Sequence, residues 1–348
     1  MSVFSISMLS AALFEVPTGI FSDMIGRKNT VVLGAFFAVL FAIFYAIGGN
    51  YLFLVIGAVL EGVSRSFYSG NNEALLYESL SSQNKEHTFH HILGKVSSAN
   101  QAALAISSVF GALLVMKSFS LLFWISVVSQ IICLLISLFL VEPRVHSKKS
   151  GNIYEHLREA FLFLLHNKKL RILAIGDMLS SGTGEAMFQF QSAFFATLWP
   201  LWAVGLAKTY AYIAATIGFF FGGKVVAKLS PLKALLLGTI VNRIEYFAGV
   251  LFPNPISPIL LSSNSFQYGI NNTAKSTLFQ QEFTQHQRAT LGSLTSFMGS
   301  IWFAAIALVL GFIGDRMGVI AALIFGNSIL CVNVVLYWRL ENDFRKKG

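Results

Sequence analysis

One turn constrains this chain more than any other feature. Gly19-Ile-Phe-Ser-Asp23-Met-Ile-Gly26-Arg27-Lys28 separates two apolar runs, 3–21 and 30–49. Each run is close to the ~20 residues that a helix rising about 1.5 Å per residue needs to cross hydrocarbon. Gly19 lets a neighbouring helix approach closely, and Gly26 permits a tight turn that a Cβ would resist. Arg27 and Lys28 mark the turn as cytoplasmic, because basic residues are retained on that side. Asp23 is then an acid held at a helix end, where it can accept bonds from backbone N–H groups or pair with a base.

The remainder of the chain reads the same way. Hydrophobic residues make up 55% and charged residues 12% of 348, and the mean hydropathy is +0.67. A soluble domain carries about a quarter charged residues, so too little of this surface could face water. Apolar runs fall at 3–21, 30–49, 51–70, 96–116, 119–141, 171–198, 201–223, 234–252, 256–280, 289–313 and 318–338, which predicts about eleven spanning helices. The short alternating segments of a membrane β-barrel do not occur. The expected class is an all-α polytopic membrane protein. Cys133 and Cys331 each lie inside an apolar run, so no disulfide framework is indicated. The net charge of +9 is explained by position rather than by nucleic acid. With the 27–28 turn cytoplasmic, the basic residues collect on that side and only Lys117 and Arg316 fall opposite. The same alternation places the C-terminus inside and Met1 outside.

The 19–28 segment resembles the signature loop between the second and third helices of the major facilitator superfamily, roughly Gly-x-Leu-Ala-Asp-Arg-x-Gly-Arg-Lys. The preceding Phe14-Glu15-Val16-Pro17-Thr18 is similar to efflux-type bacterial members. The resemblance implies two helical bundles that alternate access to a central cavity, about twelve helices in all. It also implies a small-molecule substrate, protons as coupling ion, a bilayer setting in the cell (inner) membrane, and action as a monomer without a cofactor. Here the signature follows the first apolar run, so the first helix of the family is expected to be missing. Two internal echoes support a duplication. Gly223–Gly238 repeats the layout of Gly19–Gly34, with Ala227 at the place of Asp23 and Ser230 at the place of Gly26. Tyr68, Asn71, Asn72 and Ala74 recur as Tyr268, Asn271, Asn272 and Ala274. The expected organisation is an N-terminal bundle 1–141, a connector 142–170, a C-terminal bundle 171–340 and a basic tail 341–348. Within the connector, Ile153, Leu157, Ala160, Phe161 and Leu164 share one stripe. They form either a surface amphipathic helix or an extension of the next span.

Ionisable residues inside spans are costly, roughly 2.5–3.5 kcal/mol each near the centre on insertion scales, and so mark candidate sites. Glu61 and Arg65 are four apart and share a helix face. Arg65 with Gly70 resembles the family arginine tied to proton coupling, with one residue more in the spacing; the bland reading is a structural pair. Glu185, in Gly182-Thr183-Gly184-Glu185, is a mid-span acid with Gln189 one turn on. It is either a protonatable group in a substrate path or a carboxyl hydrogen-bonded inside a bundle. Arg243 near mid-span needs a partner on another helix, for which Glu185 is one candidate, and it points away from Glu245 two residues on. Asp177 reads as a gate or a solvated end, and Lys208 as a snorkelling cation. Trp199, Trp202, Tyr210 and Tyr212 read as an interfacial belt or a substrate cage. His87, His90 and His91 are a metal cluster or a solvated loop, the latter favoured because no Cys or carboxylate completes a ligand set.

Phosphate-binding, nucleophile-elbow and metal motifs are absent from the sequence, so an enzyme is not expected. The functional expectation is a secondary transporter, in the first reading a proton-driven exporter of amphipathic molecules. The helix at 99–112 lacks the Gly-Pro stretch of drug antiporters. An importer of a sugar or other metabolite is the alternative, and a transport-inactive scaffold the alternative of another class.

Overall fold

The computed structural model describes residues 2–115, 118–143, 153–283 and 287–345. Part of the basic connector, 144–152, and the tail residues 346–348 lie outside the described residues, as does the side chain of Trp202. The elements are helical throughout: α1 (Ser2–Ile25), α2 (Arg27–Ile47), α3 (Tyr51–Tyr68), α4 (Asn71–Ser81), α5 (Phe89–Val115), α6 (Phe119–Leu138), α7 (Ile153–His166), α8 (Lys168–Ala196), α9 (Leu201–Leu229), α10 (Pro231–Leu251), α11 (Ser257–Glu282), α12 (Arg288–Met317), α13 (Val319–Leu330) and α14 (Val332–Arg345).

Seven of the described helices are long and apolar enough to cross a membrane, or eight if the two arms of α1 count as one span. This is fewer than the eleven expected, and for α8 and α11 the reason is polarity rather than length. α8 and α11 run 29 and 26 residues. They carry Asp177, Glu185 and Gln191, and Asn264, Gln267, Asn271 and Lys275, respectively. Side chains of this kind keep a helix of spanning length from reading as a lipid-facing one.

The signature segment is shorter as a loop than expected. α1 continues to Ile25, so Gly19 and Asp23 are helical and the turn is Gly26 alone, at φ 105°. α1 bends by 48° between Ile6–Glu15 and Pro17–Ile25. Pro17 has no N–H for the helix ladder, and its ring crowds the preceding turn. The Thr18 hydroxyl stands 2.8 Å from both the Phe14 carbonyl of its own helix and the Ser66 carbonyl of α3. It can therefore serve a carbonyl exposed at the bend or tie α1 to α3. The echo of Gly26 is Ser230, between α9 and α10, which also turns at positive φ, 71°.

The chain divides into two compact units. One comprises Met1–Glu86, Phe110–Asn167 and Glu282–Phe297, and the other His87–Val109, Lys168–Gln281 and Met298–Gly348. In the first, α3 packs on α1 and α2, and α2 packs on α6. The buried stripe of α2 is Ala35, Ala38, Ala42 and Ala46, small residues that let backbones approach where no hydrophobic effect operates between helices. The second has a core of Leu179, Met187, Phe194, Leu261, Leu310 and Leu323 from four helices. α7 is a helix in its own right, interrupted from α8 at Asn167. Ala160 and Leu164 are buried while Phe161 is exposed.

Candidate functional site

The turn at Gly26 organises a buried ion cluster. α2 begins without a side-chain cap from Gly26. Its first N–H groups are satisfied by Glu142, which follows α6: Arg27 N–H donates to Oε1 at 2.7 Å and Lys28 N–H to Oε2 at 2.8 Å. A carboxylate at this end meets both the orphan donors and the positive end of the helix dipole. Gly26 is favoured by its positive φ, and a Cβ there, 2.7 Å from Glu142 Oε1, would also push the capping carboxylate aside.

Arg27 is fully buried and distributes its guanidinium between two acids. Nη1 donates to Asp23 Oδ1 at 2.6 Å, while Nη2 and Nε donate to Glu78 at 2.6 and 3.1 Å. Asp23 then reaches α12. Its Oδ1 accepts from Ala289 N–H at 3.2 Å, and its Oδ2 accepts from Thr290 N–H at 2.9 Å and the Thr290 hydroxyl at 2.5 Å. Asp23 is thus the N-terminal cap of α12 and the partner of Arg27 at once. Arg288 lies over the Tyr77 ring, 4.1 Å from its centroid, with Nε 4.0 Å from Glu78. Two arginines and two acids this deeply buried are tolerable only because the charges balance and the lone pairs are used. Close approach is built into the surroundings: a Cβ on Gly19 would lie 2.7 Å from Ser293 Cβ, and one on Gly292 would lie 2.8 Å from Gly70 Cα. Lys28 contributes its backbone N–H to this arrangement.

The other expected residues separate into distinct settings. Glu15 is buried beside the α1 bend and accepts from the Ser69 hydroxyl at 3.0 Å and from the Ser296 hydroxyl. Arg65 and Glu61 form a loose pair at 3.9 Å, with the Arg65 side chain half exposed. The firmer partner of Glu61 is the Tyr45 hydroxyl, at 2.8 Å. Glu185 is exposed, and its carboxylate accepts from Gln189 Nε2 of the same helix at 2.8 Å. Arg243 does not meet Glu185; it donates to Asn327 of α13 at 2.7 Å and to its neighbour Asn242. Asp177 is no solvated end, since it is buried in an ion pair with Lys275 of α11. Lys208 donates to the Phe188 carbonyl at 2.6 Å and stacks on that residue's ring. Among the described residues no three His, Cys, Asp or Glu side chains are placed to hold a metal, so His87, His90 and His91 form no such centre. Glu78 and Glu142 were not singled out by the sequence, because their relation to the turn depends on tertiary register.

Helices of spanning length, packed through small residues and joined by a buried ion cluster at an inter-helix turn, define a polytopic α-helical membrane protein. The profile of the Major Facilitator Superfamily matches residues 1–307, and the chain belongs to that family. It is a transporter rather than an enzyme, moving a small molecule by alternating access. An MFS-type transporter of Bacillus subtilis (strain 168), YxaM, is 22% identical over 94% of this chain and 84% of its own length. Among solved structures, the Escherichia coli fucose:proton symporter FucP superposes with TM-score 0.78 at 16% identity, over 97% of this chain and 91% of that one. The human organic anion transporter MFSD10 gives 0.79 at 15% identity, over 96% and 82%.

Proposed function

We propose that this chain imports a small, polar, hydrogen-bonding solute by proton symport. The observation that carries this reading is the chemistry of α8, α10 and α11. Their buried side chains include Thr183, Gln191, Asn242, Ser262 and Asn264. The buried oxygens of Ser262 and Asn271 have no protein partner. A wall of amides and hydroxyls favours a solute that brings its own donors, since unpaired buried acceptors cost about 1–3 kcal/mol each. An amphipathic apolar cargo would leave them unpaired. The fold likeness to a fucose:proton symporter points the same way. The efflux expectation rested on the 14–28 segment and on the small number of charges in the cavity; within that segment Glu15 is committed to bonds between helices.

In this reading α5, α8 and α11 also cross the bilayer, which makes eleven crossings with the C-terminus in the cytoplasm. The halves 1–141 and 171–340 would rock about the solute, the chain acting as a monomer. The Asp23 cap on α12 would hold the cytoplasmic side closed and release once per cycle. The test is uptake of labelled monosaccharides and small organic anions into proteoliposomes that are acid outside. Accumulation of a polar probe that collapses with an ionophore supports the reading. Extrusion of amphipathic dyes, with no polar probe accumulated, contradicts it.

A further inference from the structure

Glu245 and Gln267 face each other where α10 meets α11. Gln267 Nε2 donates to Glu245 Oε1 at 3.0 Å. The other terminal oxygen of each residue, Glu245 Oε2 and Gln267 Oε1, is buried and has no hydrogen-bond partner. While Glu245 is ionised both atoms are acceptors, and two acceptors cannot satisfy each other. Exchanging the amide nitrogen and oxygen of Gln267 leaves one amide and one acid oxygen in the same condition.

No cation neutralises Glu245 among the described residues. Arg243 on the same helix is turned to Asn327 and Asn242. On α11, Lys275 is paired with Asp177 and the Tyr268 ring packs edge-on against Phe219. On α9, Lys208 donates to the Phe188 carbonyl, the Tyr212 ring packs near Phe188, and Lys224 lies over Phe221. Tyr246 meets Gln191 of α8. α13 carries no titratable side chain, and the charges of α14 begin only at Arg339, which is exposed.

We infer that Glu245 is the carboxyl that takes up the coupling proton, with Gln267 as its partner. One proton on Oε2 forms an O–H that donates to Gln267 Oε1 while Nε2 continues to donate to Oε1. A closed acid–amide ring of two hydrogen bonds results, neutral and fully satisfied, tying α10 to α11. Loss of the proton to water on the other side breaks the O–H bond, leaves a carboxylate, and opens one side of the ring. A buried charge and a stranded acceptor are both costly, so the two protonation states favour different α10–α11 contacts. That differential is what a coupling ion must act through. Gln267 is a positioning residue in this scheme. The inference deepens the symport reading above and rests on it for its role in transport.

The experiment is infrared difference spectroscopy on the full chain in lipid nanodiscs, titrated through neutral pH. The wild type should show the carbonyl band of a protonated carboxylic acid at neutral pH. Glu245→Gln should abolish that band, and Gln267→Leu should shift its frequency and its titration midpoint. Because Gln imitates the neutral acid, Glu245→Gln should insert and melt like the wild type. Absence of a protonated-acid band, or a band unchanged in Glu245→Gln, overturns the inference. So does a midpoint that Gln267→Leu leaves in place. The spectrum requires no solute, so its failure is separable from failure of the symport reading.

Discussion

Asp23 caps a helix that begins far along the chain: its Oδ2 accepts from the Thr290 N–H at 2.9 Å, and the bond joins residues 267 apart. The same carboxylate neutralises Arg27 at 2.6 Å. Asp23→Ala removes both functions and strands a buried guanidinium, a change that typically costs about 3–5 kcal/mol. Asp23→Asn keeps an acceptor for α12 and should lose less. Cysteines introduced on either side of the bundle should report altered accessibility in Asp23→Ala, with insertion preserved. Labelling from both sides that matches the wild type would show that the cap does not set the conformational balance.

Gly26 and Ser230 make opposite predictions from one backbone argument. Gly26 sits at φ 105° and leaves no room for a Cβ beside Glu142. Gly26→Ala should lower the melting temperature by the equivalent of at least about 1–3 kcal/mol. Ser230 holds φ 71° and ψ 152°, a region that only glycine enters freely. Ser230→Gly should therefore raise the melting temperature. A fall in Ser230→Gly would mean that the serine side chain stabilises the α9–α10 turn by more than its strain.

The loose contact of Arg65 with Glu61 predicts a small effect. At 3.9 Å with a half-exposed arginine, the pair should contribute less than about 1 kcal/mol. Arg65→Gln should melt within a few degrees of the wild type, whereas Tyr45→Phe, which removes the firmer partner of Glu61, should cost more. A large loss in Arg65→Gln alone would show that the pair closes in another state of the cycle.

His90 predicts an acid-side loss of stability. Burial, and then the neighbouring charges of His91 and His87, hold its imidazole below the ordinary histidine value. The unfolded chain then binds a proton at higher pH than the folded one does. The contribution is present above the ordinary value, about 6.5, and is lost as pH falls through it towards the lower folded value. Melting temperature plotted against pH should decline there in the wild type and decline less in His90→Gln. Equal slopes would remove His90 as the cause.

The parts of this architecture legible in the sequence are those written locally. Gly26 announced a turn, apolar runs announced helices, and Asp23 beside a basic pair announced an acid at a helix end. The Gly26 and Ser230 correspondence was legible as an echo, because the turn recurs where the pattern recurs. Long-range register was not legible. Glu142 and Glu78 meet the turn only because α6 and α4 end beside it. Arg243 was expected to need a partner on another helix, with Glu185 as one candidate, and it finds Asn327 of α13 instead, beside its neighbour Asn242. Glu185 stood out by its glycine neighbours but is exposed, whereas Glu245, noted in the sequence only as pointing away from Arg243, acquires its setting from Gln267, 22 residues on. The sequence drew eleven runs, whereas seven or eight of the described helices pass on length and apolarity, because α8 and α11 carry polar residues. Polar residues on α8 and α11 look unfavourable for a membrane until their neighbours across the bundle are known.

The most direct test of the central claim is the direction of proton movement when solute is added to proteoliposomes with no imposed gradient and a pH dye trapped inside. Proton symport predicts that adding a transported monosaccharide or organic anion outside acidifies the interior, and that Glu245→Gln abolishes the change. Alkalinisation of the interior by the transported solute would identify exchange against protons and contradict the account.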